Sequence, residues 1–241
     1  MVKNRYIITG SRGFIGNFLT KKLHKNNNLI CVDFKPEKYN GSYCESYHNV
    51  DLTQKKNVER FFKKLIERKV LIDGLISCHG LTTEGSKKIN SENIFQEYFN
   101  TNLFSIYEIF KHFVKLRSNK KIKKVITFSS IYGTRAPRHS LYINEKFSLH
   151  PGYMASKFAL KGLNDWYASK FAKKNFAFNL ISPGGVEFKH SKSFIKKYKK
   201  MVPSQKFTNL DEIYETVNFL INQKNNNITG QNIHLDGGFT L

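Results

Sequence analysis

The sequence predicts an α/β protein, a doubly wound parallel sheet formed by one continuous domain over residues 1–241, on three observations. Short apolar runs alternate with longer amphipathic stretches from one end to the other. The runs are near-continuously apolar, as strands covered on both faces must be. A glycine-rich turn, Thr9-Gly10-Ser11-Arg12-Gly13-Phe14-Ile15-Gly16, lies directly between the first run and the first amphipathic stretch.

In chain order, Tyr6–Thr9 gives the first strand and Gly13–Lys25 the first helix, followed by the run Leu29–Val32. A helical stretch at 54–69 leads to Gly74–Cys78, and another at 92–117 leads to Lys124–Phe128. The longest helix, 153–174, precedes Ala177–Ile181, and a helix at 211–223 precedes the closing run Asn232–Leu235. Strands that alternate with helices of this length form βαβ units. No repeat and no proline- or glycine-rich linker interrupts the pattern.

Composition narrows the class. The net charge is +22, from 40 lysines and arginines against 18 acidic residues. The lysines are scattered over every helix and form no basic arm interleaved with aromatics, so no nucleic-acid partner is expected. Such a field still favours small anions. Three cysteines, Cys31, Cys44 and Cys78, are too few and odd in number for a disulfide framework, which points to a reducing, cytoplasmic setting. No zinc-type Cys/His spacing occurs, so no metal is expected. No apolar stretch reaches the ~18 residues of a membrane span, and the N-terminus lacks a signal-peptide pattern.

The glycine turn carries the first chemistry. Gly10, Gly13 and Gly16 let the backbone approach a pyrophosphate whose charge meets a helix N-terminus, and Arg12, Phe14 and Ile15 are contacts of the same turn. Asp33 ends the second strand, where a carboxylate would bind the adenosine ribose hydroxyls and repel a 2′-phosphate. That favours NAD over NADP, with Arg12 and Lys35 as the opposing charges.

Tyrosine followed four residues later by lysine places both on one helix face, where the ammonium favours the phenolate and yields a proton donor and acceptor. The spacing occurs at Tyr107/Lys111, Tyr142/Lys146 and Tyr153/Lys157. The first reads as a surface coincidence on a helix. A helix through Tyr142 would meet Pro151-Gly152, which ends it. From Tyr153 no proline or glycine intervenes until Gly162, so Tyr153 and Lys157 are the candidate pair.

With these pieces in order, the chain resembles the short-chain dehydrogenase/reductase family, whose fold is Rossmann-like, over essentially its whole length. The resemblance rests on Thr9-Gly10…Gly16, Asp33, Asp51-Leu52, Asn102, Ser129-Ser130, Tyr153…Lys157, Pro183-Gly184 and Asp236-Gly237-Gly238. It implies that Tyr153 exchanges a proton with the substrate oxygen and that Lys157 holds the nicotinamide ribose. Ser130 would hydrogen-bond the same oxygen, and Asn102 would anchor a proton-relaying water. It further implies that Asp51 and Leu52 meet the adenine, that Cys78 and Gly80 line the cofactor, and that Pro183, Gly184 and Val186 line the nicotinamide. Dimers or tetramers packed through the helices of Asn102 and Tyr153 are also implied.

The departures are informative. The glycine spacing is that of the family's sugar-nucleotide epimerases and dehydratases. The usual Asn-Asn-Ala-Gly reads Ser77-Cys78-His79-Gly80, and Phe188 stands where many members have threonine. The gap from Ser130 to Tyr153 is roughly ten residues longer than usual, a length that a loop absorbs cheaply. This insertion, 134–151, carries Arg135, Arg138, His139 and Tyr142 as candidate contacts to an anionic, sugar-like substrate. The segments around Ser129–Gly133 and Ser182–Val186 are similar to dehydrogenases of surface-polysaccharide and flagellin-sugar (nonulosonic acid) pathways. The expected activity is NAD-linked interconversion of a secondary alcohol and a ketone. An epimerase or dehydratase with tightly bound NAD is the alternative, although the chain ends at Leu241 without an expected substrate domain. A non-catalytic dinucleotide sensor or nucleic-acid binder is the third.

Overall fold

In the computed structural model, which describes residues 3–36, 43–82, 93–145, 148–186 and 190–241, the first apolar run becomes the central strand β1 (Asn4–Thr9). After helix α1 (Phe14–Leu23) the chain adds β2 (Asn27–Asp33) and β3 (Ser46–Asn49) on one side of β1. It then crosses back through α2 (Lys55–Glu67) to lay β4 (Gly74–Ser77) on the other side. From there the sheet grows outward through β5 (Lys123–Phe128), β6 (Phe176–Pro183) and β7 (Asn232–Leu235). Among the described residues the order is β3-β2-β1-β4-β5-β6-β7, and every pairing is parallel. The expected doubly wound sheet is present. Its winding reverses between β1 and β4, and at such a switch point the strand ends part to form a ligand crevice.

Side chains alternate between the two faces, as the two-residue period of a strand requires. Ile7, Ile30, Val32, Leu75, Val125 and Phe178 pack under α2, α4 (Ser105–Phe113) and α5 (Pro151–Phe171). Tyr6, Ile8, Leu29, Ile76, Ile126 and Ile181 pack under α1 and α7 (Leu210–Ile221). The α7 start carries a capping box, Asn209 with Glu212, which fixes where that helix begins. No helix among the described residues is long and apolar enough to cross a membrane.

Four features depart from the sequence expectation. β3 is short and polar, Ser-Tyr-His-Asn, and forms through its edge pairing with β2. α6 (Lys192–Met201) is lysine-rich and buries only Phe194 and Tyr198, one turn apart. The helix expected over 92–117 is three pieces: α3 (Ile94–Phe99), a π-helical segment (Asn100–Phe104) and α4. α5 also begins earlier than Tyr153. Pro151 is its first residue, where a missing N–H goes unneeded, and the His150 side chain caps it by accepting from the Gly152 amide at 3.0 Å.

Candidate active site

The glycine turn is built as a cradle. Gly10 has φ +65°, and a Cβ there would fall 2.5 Å from the His79 amide nitrogen. A Cβ on Gly16 would fall 2.1 Å from the Gly10 carbonyl oxygen, so α1 packs against the turn only as glycine. Exposed Gly13 begins α1 without a side-chain cap, and the first turn holds no acidic residue. An uncapped, carboxylate-free helix start is what a bound pyrophosphate requires. Phe14 is exposed beside it, and Ile15 packs partly into the core.

Asp33 is buried at the end of β2, its carboxylate accepting from the Arg12 amide at 2.9 Å and the Lys35 amide at 3.0 Å. These bonds aim the carboxylate at the crevice edge and tie it to the turn. The Arg12 guanidinium donates to the Pro36 carbonyl. Asp51 is exposed beyond β3 and accepts from the Thr53 amide and hydroxyl at 2.9 and 2.6 Å, while Leu52 is buried.

Across the switch point, one face of α5 carries two of the catalytic candidates, Tyr153 and Lys157. Lys157 is buried, and its Nζ donates to the Phe128 carbonyl at 2.9 Å. Burial pushes its pKa down to about 8. Cys78 itself is pushed well up by burial, so it stays a thiol. Gly80 lies between the two polar groups of the site: a Cβ there would sit 3.0 Å from Asn102 Oδ1 and 3.6 Å from Lys157 Nζ.

Asn102 is buried in the π segment, where the broken helical ladder turns its amide into the site. Its Oδ1 accepts from the Leu81 amide at 2.7 Å, and its Nδ2 donates to the Leu81 carbonyl at 3.3 Å and to Ser156 Oγ at 3.1 Å. Both amide protons are thus engaged. A water relayed from Lys157 would have to use the remaining Oδ1 lone pair or the backbone.

Ser130 Oγ accepts from the Tyr132 amide at 3.2 Å, which leaves its own proton to give elsewhere. Adjacent Ser129 donates to the Lys157 carbonyl at 3.2 Å. A Cβ on Gly133 would lie 2.5 Å from Ser129 Oγ and 2.9 Å from the Lys157 carbonyl oxygen, so this glycine lets the serine segment pack on α5. Tyr153 is half-buried, its ring meeting Tyr98 edge-on at 5.9 Å and joining the Tyr132, Leu141, Phe194 and Tyr198 cluster. Lys157 and Asn102 thus meet around Gly80, and the serine segment packs on α5 at Lys157.

Pro183 ends β6, and Gly184 donates to the Leu235 carbonyl at 2.9 Å. Val186 bridges to Thr208. Sequence reasoning missed the residue that clamps this loop. Tyr198 of α6 accepts from the Gly185 amide through its hydroxyl at 2.6 Å, and a Cβ on Gly184 would fall 2.6 Å from that oxygen. Nothing in the sequence marks it, since α6 itself was not recognised.

The insertion is ordered by the end of the chain. Arg135 Nε donates to the Thr240 carbonyl at 2.9 Å, and Arg138 donates to the Met201 and Phe239 carbonyls at 3.3 Å each. The Arg138 guanidinium also stacks 4.6 Å above the Phe239 ring. These arginines, expected to face an anionic substrate, instead hold backbone carbonyls. His139 is exposed at the start of a 3₁₀ turn, His139–Tyr142. Tyr142 is brought inward, its hydroxyl 2.8 Å from that of Tyr132, and burial, reinforced by Tyr132, pushes its pKa well up. Tyr107 is exposed on α4, a surface position as expected. Lys146 and Phe188 lie outside the described residues.

Fold and site together define a nucleotide-binding oxidoreductase. The family model described as enoyl-(acyl carrier protein) reductase matches residues 35–240. The chain belongs to the short-chain dehydrogenase/reductase family and is an enzyme of that class. It is 24% identical over 256 residues to the post-translational flagellin modification protein A of Campylobacter coli, with 100% of each chain covered. It is 26% identical over 244 residues to the 3-oxoacyl-[acyl-carrier-protein] reductase FabG of Buchnera aphidicola (subsp. Acyrthosiphon pisum), covering 97% of this chain and 96% of that one. Among solved structures, a short chain dehydrogenase from Leptospira borgpetersenii with bound NAD+ superposes with TM-score 0.86 at 24% identity, covering 99% and 93% of the two chains. ElxO with NADP bound gives 0.79 at 23% identity and 99% coverage of both.

Proposed function

We propose that the protein is an NAD(H)-dependent oxidoreductase that interconverts a secondary alcohol and a ketone on a sugar-like substrate. The observation that carries this is the buried Lys157 ammonium beside Asn102, four residues after Tyr153 on one face of α5. Tyr153 passes a proton to or from the substrate oxygen, and Ser130 donates its uncommitted proton to the same oxygen. Lys157 supplies the positive charge that favours the Tyr153 anion and holds the nicotinamide ribose. The dinucleotide, when bound, accepts or supplies the hydride. Gly10, Gly13 and Gly16 fit its pyrophosphate, and Asp33 fits its adenosine ribose.

The buried Asp33 carboxylate supports NAD over NADP, because a 2′-phosphate there would face a fixed negative charge. Asp33→Ala is expected to relax the preference for NAD by at least about tenfold, a change of about 1.4 kcal/mol. Steady-state rates with each cofactor check this, and equal use of NADP by the unaltered protein would refute the assignment.

Full-length similarity to a flagellin modification protein supports the sugar-like substrate, with Tyr142 beside Tyr153 as the candidate contact from the insertion. Similarity to FabG supports a second reading, a 3-oxoacyl thioester. A screen with NAD(H) against phosphosugars, nucleotide sugars and acetoacetyl thioester separates them. Turnover confined to the thioester would replace the sugar reading, and no turnover on any of them would sink both.

A second copy of the chain is the proposed macromolecular partner, and the cytoplasm the proposed location, with Cys31, Cys44 and Cys78 in no disulfide among the described residues. Phe95, Phe104, Tyr107, Phe158 and Trp166 are large apolar side chains left exposed on α3, the π segment, α4 and α5. A dimer or tetramer would cover them. Trp166→Glu is expected to shift the mass measured by light scattering toward the monomer, and a monomeric unaltered protein would overturn the assembly.

A further inference from the structure

His79 stands where the family's usual segment has alanine, at the end of β4, and the oxidoreductase reading gives it no part. Its ring is nevertheless held at both nitrogens. Nδ1 lies 2.7 Å from Thr9 Oγ1 at the end of β1, and Nε2 lies 2.8 Å from Ser105 Oγ at the start of α4. Ser105 is buried and donates its own proton to the Thr101 carbonyl at 2.6 Å. A carbonyl only accepts, so Ser105 Oγ must accept from the histidine, and Nε2 carries the proton. In a neutral ring Nδ1 then accepts from Thr9. The chain of bonds runs Thr9, His79, Ser105, Thr101, each hydroxyl or ring handing its proton to the next.

Both ends of that chain matter to the site. Thr101 lies inside the π segment, where the irregular ladder leaves carbonyls needing partners, and Asn102 is its next residue. His79 also precedes Gly80 and Leu81, and Leu81 grips both ends of the Asn102 amide. Gly10 packs against the His79 backbone itself, within 2.5 Å of where a Cβ would be. One imidazole thus ties the glycine turn, the Gly80–Leu81 segment and the π segment together.

We propose that His79 is a positioning residue, a neutral Nε2–H imidazole whose two hydrogen bonds fix Asn102 and Gly80 against Lys157. This rests on the oxidoreductase reading of Lys157 and Asn102 and adds the residue that aims them. Neutrality is part of the role, because a second cation beside the buried Lys157 would be repelled. Burial and the Lys157 ammonium push the His79 pKa down to about 3, in keeping with that geometry.

Ring-labelled histidine NMR on the unaltered protein tests the tautomer directly. One histidine should show the Nε2–H pattern and no titration from about pH 8 to about pH 5, where an ordinary histidine titrates near 6.5. His79→Ala should erase that signal and speed exchange of the Leu81 amide by at least about tenfold. It should also lower turnover about tenfold or more while changing NADH affinity much less, as misplacement of catalytic groups does. His79→Gln keeps a donor toward Ser105 and should restore Leu81 protection, whereas His79→Asn, which reaches only Thr9, should not. Adding Ser105→Ala to His79→Ala should cause no further loss, since both break one chain of bonds. An Nδ1–H tautomer, a ring that titrates normally, or unchanged Leu81 exchange in His79→Ala would overturn the proposal. Failure of the oxidoreductase reading shows elsewhere, as no turnover by the unaltered protein in the substrate screen, and leaves these NMR and exchange readings standing.

Discussion

Replacing Tyr153 with phenylalanine is expected to lower turnover by about a thousandfold or more, within the range seen on removing a general acid–base group. The substitution deletes one hydroxyl and keeps the ring, so the edge-on contact with Tyr98 and the packing against Tyr132 and Leu141 survive. Gly10, Gly13, Asp33 and Lys157, the groups assigned to the dinucleotide, are not touched. NADH affinity by fluorescence titration should therefore stay within about threefold, a difference of less than 1 kcal/mol. The contrast between the two measurements is the content of the prediction. A variant that turns over normally would transfer the proton step to another group.

Lys157→Met is expected to abolish turnover and, in the cofactor-free protein at neutral pH, to raise the melting temperature. Burial lowers the Lys157 pKa from 10.5 to about 8, so holding its charge at neutral pH costs about 3 kcal/mol relative to the unfolded chain. Methionine of similar length removes that cost but leaves the Phe128 carbonyl without its donor, a loss of about 1 kcal/mol. The balance favours the variant by about 2 kcal/mol, or roughly 5 °C for a chain of this size. The sign of the pH dependence follows from the same shift. Between about pH 8 and 10.5 the unfolded chain keeps a proton that the folded protein has released, so the unaltered protein gains stability as pH rises through that window. Below it the cost is present in full, so the advantage of Lys157→Met should shrink steadily above about pH 8. Melting curves at pH 7 and pH 10 decide the matter, and a variant that melts at or below the unaltered protein at pH 7 would contradict the assignment of a buried charge.

How legible the molecule was depended on what kind of contact each part makes. β1, β2, β4, β5 and β6 are buried on both faces, and their Val, Ile, Leu and Phe runs announce it. The glycine turn was legible because its glycines answer to steric limits, as the 2.1 Å approach at Gly16 illustrates. β3 was not, because an edge strand of Ser, Tyr, His and Asn owes its form to β2 rather than to its own side chains. α6 hid behind its lysines, and with it went Tyr198. The π segment carries no residue-type signal. Arg135 and Arg138 were legible as charges but not as anchors. Their charge suggested a ligand, but guanidinium groups serve backbone carbonyls equally well, and the distant residues 201, 239 and 240 were invisible as partners.

Those arginine contacts also set an order of events during synthesis. The glycine turn and β1 through β4 belong to the first third of the chain and can assemble while the remainder is still being made. The insertion cannot settle then, because the carbonyls that anchor Arg135 and Arg138 belong to Met201, Phe239 and Thr240, 63 to 105 residues downstream. A nascent chain would thus acquire its nucleotide cradle early and anchor its insertion last.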